Sequence, residues 1–125
     1  MSYRVYLVED SAPIRERVTA LLASIDGVDN VGSAATADDA ERAILQMHPH
    51  AVLLDIKLAH GSGFDLLRSL RARAPDIEIY MLSNFAAPAY RQLAADLGAR
   101  GFFDKTNEMD SMRRTIAERA AQFIH

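Results

Sequence analysis

Five short apolar runs punctuate the chain, and the longer segments between them repeat their apolar positions at helical spacing. The runs are Val5-Tyr6-Leu7-Val8, a weaker one over 28–34, Ala51-Val52-Leu53-Leu54, Ile77 to Leu82, and Gly101-Phe102-Phe103. Short continuous runs without polar alternation suit strands buried on both faces. After the first run, Ile14, Val18, Leu21, Leu22 and Ile25 share one stripe, which predicts a helix over 13–25 with Ser11 and Pro13 at its start. Thr36 begins a second helix, with Asp39 three residues on as an acidic variant of the capping box. Ala40, Ile44 and Met47 follow before Pro49 stops it. Further helices are expected over 63–73, 88–97 and 110–123. The fourth aligns Tyr90, Leu93, Ala94 and Leu97 ahead of Gly98, a helix-terminating residue.

Strand then helix, five times over, predicts an α/β fold: a doubly wound, five-stranded parallel sheet of flavodoxin-like (βα)5 form with helices on both faces. In strand order 2-1-3-4-5 the direction of winding reverses between the first and third strands, and ligands of such sheets sit at that point, beyond the strands' carboxyl ends. At 125 residues, half of them hydrophobic, the chain is expected to form a single domain spanning 1–125. Low-complexity tracts and linkers are absent from the sequence.

Composition narrows the chemistry. Without cysteine there is neither a disulfide nor a thiolate-bound metal, and the four histidines lack metal-ligand spacing. No apolar run approaches the roughly 20 residues needed to cross a bilayer, and no signal-peptide pattern opens the chain, so a cytoplasmic location is expected. A formal charge of −3 offers no general attraction to nucleic acid or anionic lipid. Arg113, Arg114 and Arg119 share their helix with Asp110 and Glu118 and read as a solvated face.

The predicted strand ends carry the informative residues. The first ends in Glu9-Asp10, the third in Asp55, the fourth in Ser83, and the fifth is followed by Lys105. Each alone has an ordinary explanation, such as Asp10 as a helix cap or Lys105 as a solvated loop cation. Together they converge on the ligand-binding edge. Carboxylates gathered at about 5 Å, with an effective dielectric near 20, repel by roughly 3 kcal/mol per pair. Lys105 balances one charge and a divalent cation can balance the rest, with hard oxygen donors favouring Mg²⁺. A carboxylate beside Mg²⁺, with a spare cation and a hydroxyl, has the parts for phosphoryl transfer onto Asp55.

These pieces resemble the receiver domain of two-component response regulators over essentially the whole length. The matching segments are Glu9-Asp10, Asp55 to Gly63 (DIKLAHGSG), MLS ending at Ser83, and GARGFFDK ending at Lys105. The resemblance implies that Asp55 accepts a phosphoryl group from a histidine kinase or histidine phosphotransfer protein. It also implies Mg²⁺ held by Asp10, Asp55 and the backbone carbonyl of Lys57, with Glu9 acting through water. Ser83 and Lys105 would contact the phosphoryl oxygens, and Phe102 occupies the switch aromatic position, where core packing is the plainer alternative. The output expected is a changed protein-interaction surface on the fourth helix, fifth strand and fifth helix, read by a downstream protein, without direct nucleic-acid or membrane binding. The chain is then a switch that assists its own phosphorylation and dephosphorylation rather than an enzyme.

The chain departs from the family pattern in three places. Ala59 stands where proline is usual, Thr106 replaces the proline after the lysine, and Asn84 stands at a commonly small position followed by Phe85. The Lys105–Thr106 peptide is expected to be trans, since a non-proline cis bond costs roughly 2.5–4 kcal/mol. Asn84 and Phe85 are expected to hinder attacking water and slow phosphoryl loss. Ile14 suits either kinase docking or core packing. Two other function classes stay open: a Mg²⁺-dependent phosphatase or phosphotransferase acting on a small substrate, and a flavodoxin-like mononucleotide binder. For the binder, EDSAPIRER after the first strand supplies acids where a phosphate loop would be wanted.

Overall fold

Residues 2–124 are described by a computed structural model, with side chains through Phe123. Along the chain run β1 (Tyr3–Val8), α1 (Ala12–Ala23), β2 (Val28–Ala34), α2 (Ala37–Met47), β3 (Ala51–Leu54), α3 (Gly63–Arg73), β4 (Glu78–Ser83), α4 (Pro88–Asp96), β5 (Gly101–Asp104) and α5 (Met109–Ile124). The strands form one parallel sheet in the order β2-β1-β3-β4-β5. Winding therefore reverses between β1 and β3, as expected for the flavodoxin-like strand order.

Period-two alternation divides the core. Tyr6, Val8, Val52, Leu54, Ile79 and Met81 face α2, α3 and α4. Tyr3, Val5, Leu7, Leu53, Tyr80, Leu82 and Phe103 face α1 and α5. All four residues of β3 are fully buried because both faces are covered. Ile14 packs half-buried against the α1–α5 side.

Element boundaries moved where side chains found partners. β1 begins at Tyr3 rather than Val5, since the fully buried Tyr3 ring carries a hydroxyl that donates to Glu78 Oε1 at 2.7 Å. α1 stops at Ala23, and the Ser24 hydroxyl donates to Leu21 O at 2.6 Å as the chain turns Ile25 back into the core. Thr36 does cap α2, accepting from Asp39 N at 3.3 Å, but the Asp39 carboxylate turns to Arg42. At the other end of α2, His48 adopts a left-handed conformation (φ 49°) before Pro49, and Arg4 donates to the Met47 and His48 carbonyls.

Two expectations are corrected. Tyr90 does not join the α4 core stripe: it is 42% exposed, and its ring stacks on Phe64 at a centroid distance of 6.1 Å. Arg119 is not part of a solvated face, because its Nε and Nη2 donate to the two oxygens of Glu78 at 2.8 and 2.7 Å. Glu78 also accepts from Tyr3 and Tyr80, and Arg100 lies 3.5 Å away. This network ties α5 to the amino-terminal edge of the sheet.

Burial pushes the Glu78 pKa up, but the hydrogen bonds from Arg119 and Tyr3, with the charges of Arg119 and Arg100, outweigh it and hold the group at about 2. A depressed carboxylate contributes stability above its unfolded value of about 4.3, and that contribution is lost as pH falls toward the folded value. Glu78→Gln should cost about 2 kcal/mol at neutral pH, and its stability should fall less steeply than wild type below pH ~4.3. Urea unfolding across the acidic range measures both; parallel acid profiles would overturn the assignment.

Candidate functional site

Glu9 follows β1 and is 1% exposed, held by its backbone N–H donating to Ala34 O at 2.9 Å. Its Oε2 accepts from Ser11 N at 3.0 Å, while Oε1 lies against the Lys105 ammonium. Asp10 is exposed beside it. Ser11, rather than Asp10, caps α1, its hydroxyl accepting from Ile14 N. Asp10 is thereby left to the site edge. Arg15, one turn into α1, donates to the Glu9 carbonyl at 2.8 Å. Sequence reading missed Arg15; the available signal was a basic residue in the helix turn next to the acidic strand end.

Asp55 follows β3 and is 5% exposed, its N–H bonded to Val8 O at 3.0 Å. Lys105 Nζ donates to Asp55 Oδ2 at 2.7 Å, so one buried ammonium touches carboxylates from two strand ends. Glu9, Asp10 and Asp55 each present an oxygen within 4.8 Å of the others. The three acids and Lys105 thus converge as the sequence predicts.

Burial raises the Glu9 pKa; contact with Lys105 and the Ser11 N–H work the other way, and the Asp55 charge adds to the rise. For Lys105, burial opposes the charge, but the hydrogen bonds and charges of Asp55 and Glu9 outweigh it and raise the pKa. The ammonium is therefore held charged. Three acids against one ammonium still leave negative charge in excess. Glu9 Oε1 is committed to Lys105 and Oε2 to Ser11 N, so the carboxylate oxygens left open toward a cation are those of Asp10 and the second oxygen of Asp55. An all-oxygen, partly open, anionic pocket fits a hard divalent cation such as Mg²⁺.

Ser83 closes β4 with no exposure, and its hydroxyl accepts from Phe85 N at 3.0 Å. Its carbonyl accepts from Lys105 N at 3.0 Å, linking the β4 and β5 ends. Phe102 pairs with Met81 in register, two residues before Ser83, which sets Phe102 and Ser83 on one face of the sheet. Lys57 is exposed at the start of the β3–α3 loop and bridges Ser62. Ile56, Lys57, Gly61, Ser62, Phe85 and Tyr90 line a cleft of about 280 Å³ along the loop that follows Asp55. Among the described residues no peptide bond is cis, so the Lys105–Thr106 bond is trans.

The family model for the response regulator receiver domain matches residues 5–117. The chain belongs to the response regulator receiver domains of two-component signalling. This receiver is 27% identical over 113 residues to the response regulator GacA of Pseudomonas protegens, covering 90% of this chain and 53% of that protein. It is 32% identical over 120 residues to a protein-glutamate methylesterase/protein-glutamine glutaminase of Anaeromyxobacter dehalogenans, covering 94% of this chain and 34% of that protein. The receiver thus spans about half, or less, of these relatives. In fold it matches the response regulator domain of Thermotoga maritima CheB with a TM-score of 0.86 at 22% identity, covering 98% of this chain and 96% of that one. No helix among the described residues is long and apolar enough to cross a membrane.

The loop carrying Asp55 returns so tightly that a Cβ on Gly63 would stand 1.9 Å from the Asp55 carbonyl oxygen. Backbone cannot yield there cheaply. Gly63→Ala should cost about 3 kcal/mol or more, whereas Ser62→Ala, which removes only the α3 cap, should cost about 1 kcal/mol. Urea unfolding of the two variants checks the contrast; equal losses would refute the close approach as a constraint on the site.

Proposed function

We propose that residues 1–125 act as one phosphoacceptor domain in which Asp55 takes a phosphoryl group from the phosphohistidine of a histidine kinase or phosphotransfer protein. The observation that supports this most is the meeting of three carboxylates with one buried ammonium at the reversal point of the sheet. A carboxylate oxygen of Asp55 forms the new bond to phosphorus as the phosphorus–nitrogen bond breaks, and the imidazole nitrogen keeps the electron pair and takes a proton. Asp10, Asp55 and the Lys57 carbonyl would hold Mg²⁺, with Glu9 acting through water. When bound, the ion supplies positive charge against that developing on the transferred oxygens. Lys105 pairs with one phosphoryl oxygen, and the Ser83 hydroxyl donates to another after leaving Phe85 N. The domain promotes its own gain and loss of phosphate and turns over no separate substrate.

The added charge, roughly −1.5 to −2, draws Ser83 inward and turns the Lys105 ammonium, already at Asp55, to a phosphoryl oxygen, and Phe102 follows on the shared face. The altered surface of α4, β5 and α5 is then read by a protein target, without direct contact to nucleic acid or membrane. Arg119 is engaged by Glu78 and Arg113 by Ser24, which favours protein output over a basic contact surface. Half-buried Ile14 at the start of α1 offers the kinase an apolar edge. A cytoplasmic location suits this phosphodonor.

Incubation with Mg²⁺ and acetyl phosphate should add one acid-stable, base-labile phosphoryl group that is absent in Asp55→Asn. Sustained phosphate release over many turnovers would replace this reading with a phosphatase, and tight flavin retention with a mononucleotide binder.

Phe85 is 45% exposed beside the cleft, and Asn84 is exposed next to it. Phe85 lines a cleft with Ile56 and Lys57, the two residues that follow Asp55, and Asn84 precedes it in the same loop, so Asn84→Ala and Phe85→Ala should speed loss of the phosphoryl group several-fold. Decay of purified phosphoprotein in Mg²⁺ buffer measures this, and unchanged rates in both would remove the shielding role.

A further inference from the structure

Arg91 makes more connections across elements than any role on a solvated helix requires. From α4, its Nε donates to Ala86 O at 3.1 Å in the β4–α4 loop, and its Nη1 donates to Phe102 O at 3.2 Å in β5. Its Nη2 pairs with Glu108, just before α5. The guanidinium carbon lies 5.0 Å from the centroid of the Phe102 ring. Glu108 is fixed in turn, accepting from Asp104 N at 2.9 Å, and its own N–H donates to Asp104 O at 2.8 Å. One side chain therefore joins the loop after Ser83, the strand before Lys105 and the entrance to α5, and it covers the aromatic ring that shares a face with Ser83.

Phe102 is half-buried and packs on the core cluster beneath α2, α3 and α4. We infer that Arg91 is a latch that holds Phe102 in this position and α4 against β5, opposing the rearrangement that charge at Asp55 drives. The inference rests on the phosphoacceptor reading of Asp55. If Ser83 moves toward a phosphoryl group, space opens on the sheet face that Phe102 shares. A ring turning into that space leaves the guanidinium and forfeits the cation–π contact. The latch stabilises only the arrangement in which Arg91 covers Phe102, so it shifts the balance between states and lowers the apparent affinity for a phosphoryl-like ligand. Glu108 aims the guanidinium and acts through it as a positioning residue.

Two measurements test this on the full chain. The first needs no ligand: side-chain couplings of Phe102 should report one rotamer in the unliganded wild type and a mixture in Arg91→Gln. An unchanged single rotamer would overturn the latch. The second is calorimetric titration with beryllofluoride and Mg²⁺. Arg91→Gln should bind about five-fold tighter or more, Glu108→Gln should shift the same way by less, and the double variant should match Arg91→Gln alone. Unchanged or weaker binding in both single variants, with only lower thermal stability, would make Arg91 a structural brace. Absence of binding in wild type, matching Asp55→Asn, would instead count against the phosphoacceptor reading, and the rotamer measurement would then decide the latch by itself.

Discussion

A single buried ammonium holds the working end of this receiver together. Lys105 follows β5, yet its Nζ touches Asp55 after β3 and Glu9 after β1, and its backbone N–H donates to the carbonyl of Ser83 at the end of β4. Carboxylates that would otherwise repel one another in a half-dry pocket are reconciled by it, and burial of the cation is tolerated because both partners are acids. Four strand ends thus share one electrostatic unit. Any change of charge on Asp55 alters the balance on Lys105 and reaches the β5–α5 loop without an intervening chain of contacts.

The opposite end of the sheet is built differently. There Glu78 collects Tyr3, Tyr80, Arg119 and Arg100, and its negative charge is matched by cations. His50 and Phe123 pack beside Tyr3, with ring centroids 4.1 Å apart. That end anchors α5, whereas the carboxyl end carries an excess of negative charge around buried acids. The two ends thus differ in charge balance, matched by cations at one and left negative at the other.

Between the two ends, α4 is the lightly held element. Ala94 is its one fully buried residue, while Tyr90 leans outward onto Phe64 and Phe85. Much of its attachment to β5 and to the start of α5 passes through Arg91. An element with little apolar burial and a polar tether is suited to report a local charge event, since few packed contacts must be broken for it to shift.

The repeating pattern of apolar runs and helical stripes determined the elements and their alternation, because strand and helix periods are properties of neighbouring residues along the chain. Glu9, Asp10, Asp55, Ser83 and Lys105 were legible for the same reason: each lies at the end of an identifiable strand, and the order of a parallel sheet carries those ends to one edge. What tertiary structure alone decided was the choice of partner. Arg113, Arg114 and Arg119 look equivalent by spacing, yet Arg119 faces Glu78 across the sheet edge; Tyr90 fits the helical stripe but finds Phe64 and Phe85 outside the core. Arg91 has no sequence signature, since Ala86, Phe102 and Glu108 come within reach only when α4 folds onto β5. Periodicity is local, whereas the pairing of long charged side chains depends on distances that exist only once the sheet is closed over by its helices.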